Sequence, residues 1–197
     1  KDFFDAGFRY NNSVSFNGAT DKSEYYVSFS QISDDGMVPT DADSYDKYTF
    51  SARGSHKVKA LTFSSSLNYS YQKNKFATTG QGLTMLNSLY QTPRDVSIIS
   101  LQDQNDIFNS PGYFYTPYGV MNPYYILENY LNEYDAERFY GKFQVDYDFL
   151  KYFKFTYRMG LDTTTGQSNR GEPNLYALFY EGTPNGEGMG SNSPFYG

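Results

Sequence analysis

The chain has 197 residues, a formal net charge of −6 and no cysteine. These exclude disulfides, zinc–thiolate sites and thiol catalysis, and they leave no basic patch for nucleic acid. Its 22 tyrosines and 17 phenylalanines make it rich in aromatics, yet the mean hydropathy of −0.67 is polar and no stretch reaches the roughly 20 apolar residues of a membrane helix. Transmembrane barrels reconcile these two features, because only alternate strand residues face lipid and aromatic residues gather at both interfaces. The single His56 leaves no histidine-based metal cluster. The opening Lys1-Asp2-Phe3-Phe4-Asp5 carries no apolar segment and cleavage site of a signal peptide, and the chain reads as a portion of something longer.

In chain order, Phe8, Tyr10, Val14 and Phe16 alternate with polar residues and predict a strand over 7–17. The turn-forming run 18–23 leads to a second strand, 24–32, with Tyr25, Val27 and Phe29 in one phase. A polar loop over 33–46 carries Asp34-Asp35-Gly36 and Pro39. Strands over 46–54 and 59–72 follow, joined by a short connection holding His56, which reads as solvent-exposed. The latter strand sets Leu61, Phe63, Leu67, Tyr69 and Tyr71 against Thr62, Ser64, Ser66, Asn68 and Ser70. Residues 72–137 show no sustained period of two. Within them Leu83, Leu86 and Tyr90 recur at helical spacing and Thr92-Pro93 stops the helix. Two further strands, 137–149 and 152–162, place Phe139, Phe143, Val145, Tyr147 and Phe149, then Phe153, Phe155, Tyr157, Met159 and Leu161, on one face. Residues 163–197 form a second long loop rich in Gly, Asn and Pro.

The connections thus alternate short and long. In an up-and-down meander this puts every short turn at one end and every long loop at the other, the asymmetry of outer-membrane barrels. Strands of about 10 residues also suit a tilted bilayer crossing. The expected fold is all-β: an antiparallel up-and-down transmembrane β-barrel with long extracellular loops. About six strands cannot close such a barrel, since open edges in lipid strand backbone polar groups, so the expectation is one part of a larger barrel domain. A soluble β-rich surface or adhesion module, or a passive porin, shares the strand pattern.

Asp34-Asp35-Gly36-Met37-Val38-Pro39, following Tyr-Tyr-Val-Ser-Phe-Ser, resembles the strand and "Gly-Ile-Ile-Pro" loop of the SusC/RagA family of TonB-dependent transporters. Asn12 to Gly18, Thr92-Pro93, Arg138 leading into its strand and the Phe-Leu-Lys turn fit as well. Asn122-Pro123-Tyr124-Tyr125 matches the family's Asn-Pro-Tyr-Trp except at Tyr125. The resemblance spans nearly the whole chain and implies an early-to-middle portion of a 22-stranded outer-membrane barrel of Bacteroidetes. It further implies TonB-dependent uptake of oligosaccharides or peptides with a SusD-like surface lipoprotein as partner. The plug and TonB box of such importers are not in this chain.

The loop aromatics Tyr113, Phe114, Tyr115, Tyr118, Tyr124 and Tyr125, with Asn122, are the candidate substrate contacts, because aromatic faces offer large contact area with a polar tip. The alternative is that they pack the loop on itself. Asp41, Asp43 and Asp46, like Asp103, Asn105 and Asp106, cluster oxygen ligands but lack a complete calcium loop. Lys142, Asp146, Arg158 and Asp162 fall in the polar phase, where they line a transport path or pair with neighbouring strands. No nucleotide, phosphate-loop or nucleophile-elbow motif appears. Neither enzyme activity nor a cofactor is expected.

Overall fold

The computed structural model describes residues 3–110, 121–149 and 152–173. Six antiparallel strands pair in sequence order into one sheet: β1 (Arg9–Ala19), β2 (Ser23–Asp34), β3 (Ser44–Val58), β4 (Leu61–Lys75), β5 (Leu131–Phe149) and β6 (Phe153–Gly171). Strand order follows chain order throughout, so the sheet is an up-and-down meander and it is not closed. The connections after β1, β3 and β5 are short and share one end. Those after β2 and β4 lie at the other.

Several strands outrun their sequence-derived bounds. β5 begins at Leu131 and β6 ends at Gly171, so the loops expected over 72–137 and 163–197 start later or finish earlier. The reason is visible in the added segments. Thr163, Thr165 and Gln167 face the same side as Leu161, while Thr164, Gly166 and Ser168 face the other. Both faces are polar there, so the hydropathy alternation disappears while the backbone ladder continues. β3 likewise runs on to Val58, which places His56 inside the strand rather than in a turn. The hairpin closes through Lys59-Ala60, with Lys59 at φ 55 taking up the left-handed geometry of a two-residue turn.

Between β4 and β5 lie α1 (Met85–Gln91), two 3-10 turns (Ile99–Gln102 and Ile107–Asn109) and α2 (Pro123–Asn129). The expected loop helix is α1, capped at its start by the Thr84 hydroxyl, and Thr92 ends it. These pieces make a cap over the long-connection end. Its apolar centre joins three separated segments: Phe3, Val38 from the β2–β3 loop, and Met85, Leu101, Met121, Tyr124, Ile126 and Leu127 from the insertion. Of the strand residues, only Ala136 and Asp146 are buried. The core of the described residues is thus in the cap.

Asn122 ties the cap together. Fully buried, it donates from Nδ2 to Leu101 O (2.7 Å) and Asn109 O (2.8 Å), and its Oδ1 accepts from Tyr124 N (2.9 Å) as the N-cap of α2. Pro123 follows at the first helical position, where its missing N–H costs nothing. Replacing Asn122 by alanine removes an N-cap and orphans the buried Leu101 carbonyl and the part-buried Asn109 carbonyl, which should destabilise the cap by about 2–4 kcal/mol. Limited proteolysis should then cut within the 76–130 connection at much lower protease concentration, with the sheet left intact.

Candidate functional site

The sheet has two chemically distinct faces, and cross-strand rungs show how complete the separation is. One rung aligns Val14, Phe29, Phe50, Tyr69 and Phe139. The next aligns Phe16, Val27, Ala52, Leu67, Gly141 and Leu161. Residues opposite one another stand about 5 Å apart, so these rungs form a continuous apolar surface. Every exposed large hydrophobic on the described strands except Tyr140 lies on this aromatic face. At its short-connection edge Tyr147, Phe149 and Phe153 stack in sequence, with ring centroids 5.7 Å apart at each step.

Towards the long-connection end the aromatic face meets its first polar residue at Asn12 on β1, Gln31 on β2, Asp46 on β3, Lys73 on β4, Glu137 on β5 and Thr163 on β6, with Tyr10 and Leu131 the apolar strand residues beyond. There the same face becomes charged: Lys73 pairs with Glu133 at 3.8 Å, and Ser33 Oγ donates to Asp46 Oδ1 at 2.7 Å.

The opposite face is polar apart from Ile32, Ala19 and Ala136. Arg138 grips Asp162 with two bonds, Nε to Oδ1 at 3.1 Å and Nη2 to Oδ2 at 2.7 Å. Asp146, buried in the ladder, accepts from Thr156 Oγ1 (2.6 Å) and Gln144 Nε2 (2.7 Å), with Lys154 Nζ at 3.7 Å. Arg158 Nε donates to Gln144 Oε1 at 3.0 Å. Of the four charges singled out by phase, three are therefore held by neighbours across the β5–β6 pair. Lys142 makes no ion pair among the described residues and instead borders a concavity of about 620 Å³, together with Arg53, Tyr26, Ser64, Ser66 and Glu24. Arg53 is poised there over the Tyr26 ring at 4.6 Å. A second cavity, about 930 Å³, lies under the cap between Phe4, Met37, Phe76, Leu83, Tyr130 and Arg170.

The candidate substrate contacts divide. Tyr113, Phe114, Tyr115 and Tyr118 lie outside the described residues. Tyr124 and Tyr125 are only 4% and 7% exposed, with the Tyr124 ring 5.0 Å from that of Phe3, and Asn122 serves as the helix cap. Their contacts are thus with the cap itself. Asn-Pro before an apolar run is a helix-start signal, and it would have identified Asn122 as a cap from sequence. The aspartate clusters have structural partners too: Asp103 Oδ1 accepts from Asn105 N, and Asp106 Oδ1 from Phe108 N. Among the described residues, no three His, Cys, Asp or Glu side chains are grouped to hold a metal ion. No helix of the described residues is long and apolar enough to cross a membrane, which does not bear on strands. The chain matches no protein-family profile, and no curated protein matches it.

Burial raises the hydroxyl pKa of Tyr124, Tyr125 and Tyr130, with Asp5 adding to the effect at Tyr124 and Glu172 and Tyr125 at Tyr130. A phenol whose folded pKa lies above its unfolded value holds its proton longer in the fold. Stability from these groups is therefore present below about pH 10 and is lost as the pH rises past it. In a spectroscopic titration, these three tyrosines should ionise after the exposed ones and together with opening of the cap. Simultaneous ionisation of all tyrosines with the cap closed would contradict their burial.

Proposed function

We propose that this chain is a stretch of the wall of a transmembrane β-barrel in the outer membrane of a Gram-negative bacterium. In this reading the aromatic face meets lipid and the polar face lines the lumen. The observation that carries it is the aromatic face left uncovered among the described residues, alternating residue by residue with a polar face as the strands of such barrels do. Each exposed Leu, Phe, Val or Met also forgoes about 1.5–3 kcal/mol in water, which a hydrocarbon environment returns.

The transport activity follows from the family resemblance of the motifs. The proposed protein is an active importer of the SusC/RagA type, taking up oligosaccharides, or peptides, with a SusD-like lipoprotein at the long-connection end and energy from TonB. The cap then sits at the extracellular mouth, and the cavity beside Arg170 opens towards the path that a substrate follows. A polar, hydroxyl-rich lumen wall suits a hydrated, hydrogen-bonding solute.

Phe143 stands midway along the apolar run of β5 and tests the assignment of faces. Phe143→Arg should cost about 2–4 kcal/mol at mid-bilayer and block outer-membrane assembly, whereas Gln144→Arg, on the polar face, should assemble. Assembly of both variants would contradict a lipid-facing Phe143. The importer reading is tested by the native polypeptide recovered from outer membranes. It should be several times heavier than the 22.6 kDa of these residues and copurify with a surface lipoprotein, and a native mass of 22.6 kDa would exclude a single-chain importer.

A further inference from the structure

Two cations on the polar face flank a patch of small hydroxyl side chains. One rung of this face runs Asn17, Tyr26, Arg53, Ser66, Lys142 and Gly160, so Arg53 and Lys142 stand on either side of Ser66. Two strand steps set their backbones roughly 10 Å apart, a gap that two long side chains can close over the short serine between them. Both are exposed, both line the concavity of about 620 Å³, and neither makes an ion pair among the described residues. The Arg53 guanidinium lies 4.6 Å from the centroid of the Tyr26 ring. Stacking of this kind holds the planar fork while leaving its N–H donors for a ligand.

The surroundings of the two cations differ from the rest of the wall. On β5 and β6, Arg138 is paired with Asp162 and Lys154 with Asp146. At the concavity the only lining carboxylate is Glu24, on the adjacent rung towards the short connections, and it pairs with neither cation. Two positive charges therefore face one negative. The same adjacent rung brings Ser55 and Ser64 beside Ser66. No Leu, Ile, Val, Met or Phe side chain lines the concavity.

We propose that this rung is a subsite for an acidic saccharide, with the carboxylate of a uronate residue held over Ser66 between Arg53 and Lys142. The inference rests on the importer reading, in which the polar face lines the lumen, and it narrows the solute to an anionic one. Arginine meets a carboxylate through two parallel N–H bonds, and lysine adds a point charge from the other side. Ser55, Ser64 and Ser66 each donate and accept, as sugar hydroxyls do, and Glu24 at the margin suits a sugar hydroxyl as an acceptor. A peptide with apolar side chains finds no complement on this lining.

The test uses the native polypeptide containing these residues, purified in detergent from outer membranes. Trigalacturonate is the probe, and its methyl ester, equal in its rings but neutral, is the control. Calorimetry should show the acid binding about tenfold more tightly than the ester. Arg53→Gln and Lys142→Gln, both on the polar face and so compatible with assembly, should each lower affinity for the acid by about tenfold and leave the ester unchanged. Equal affinity for acid and ester, no binding of either, or a preference unchanged in both variants would overturn the site while the membrane reading stands. Tighter binding of triglutamate than of trigalacturonate would overturn the saccharide assignment. Absence of the native chain from outer membranes would overturn the importer reading and this subsite together.

Discussion

The constraint on which this molecule depends is that its sheet is one layer thick. In β1 to β6 the backbone groups between strands are satisfied by the ladder, but a ladder alone does not hold a sheet together in water. Soluble sheets bury one face against a second sheet or a helix layer. Here the helices gather at one end, over the β2–β3 and β4–β5 connections, and among the described residues the length of both faces is open. Whatever covers the aromatic face is therefore the other half of the sheet's stability. A hydrocarbon phase fits it without demanding shape complementarity, which matches a surface built from scattered rings rather than an interlocking core.

The charge and hydroxyl pattern of the opposite face follows the same logic. Where water or polar protein covers a sheet, cross-strand pairs of opposite charge and side-chain hydrogen bonds are the available stabilisers. Arg138 with Asp162, and Asp146 with Thr156, Gln144 and Lys154, are such pairs. The exposed Arg138–Asp162 pair contributes little by itself. These pairs do fix the orientation of side chains on the wall, leaving Arg53 and Lys142 as the cations bordering the polar concavity.

Much of this was legible in the sequence. Alternation gave the strand order, the phases and the common end of the short turns, because the residues of the aromatic face differ sharply from their neighbours on the polar one. Legibility failed where that contrast vanished. The outer halves of β5 and β6, from Asn132 to Asp135 and from Thr163 to Gly171, pair through their backbones with polar side chains on both faces. Hydropathy carries no record of such pairing. The cap was legible only in part. α1 has a helical period and a proline stop, whereas α2 spans only seven residues and joins a core assembled from Phe3, Val38 and Leu101. Contacts so far apart in the chain leave no local signal, so the aromatic Tyr124 and Tyr125 looked available to a ligand when their neighbours are within the cap.

The most direct test of the central claim is the lipid exposure of successive residues on β6, made simple by the absence of cysteine from these 197 residues. Single cysteines would be placed at Phe155, Thr156, Tyr157, Arg158, Met159 and Gly160 in the native protein, labelled with a fluorophore and reconstituted with lipids bearing a mid-chain spin-label quencher. The account predicts strong quenching at Phe155, Tyr157 and Met159 and weak quenching at Thr156, Arg158 and Gly160. Uniform quenching, or none at the aromatic positions, would show that this face meets something other than lipid.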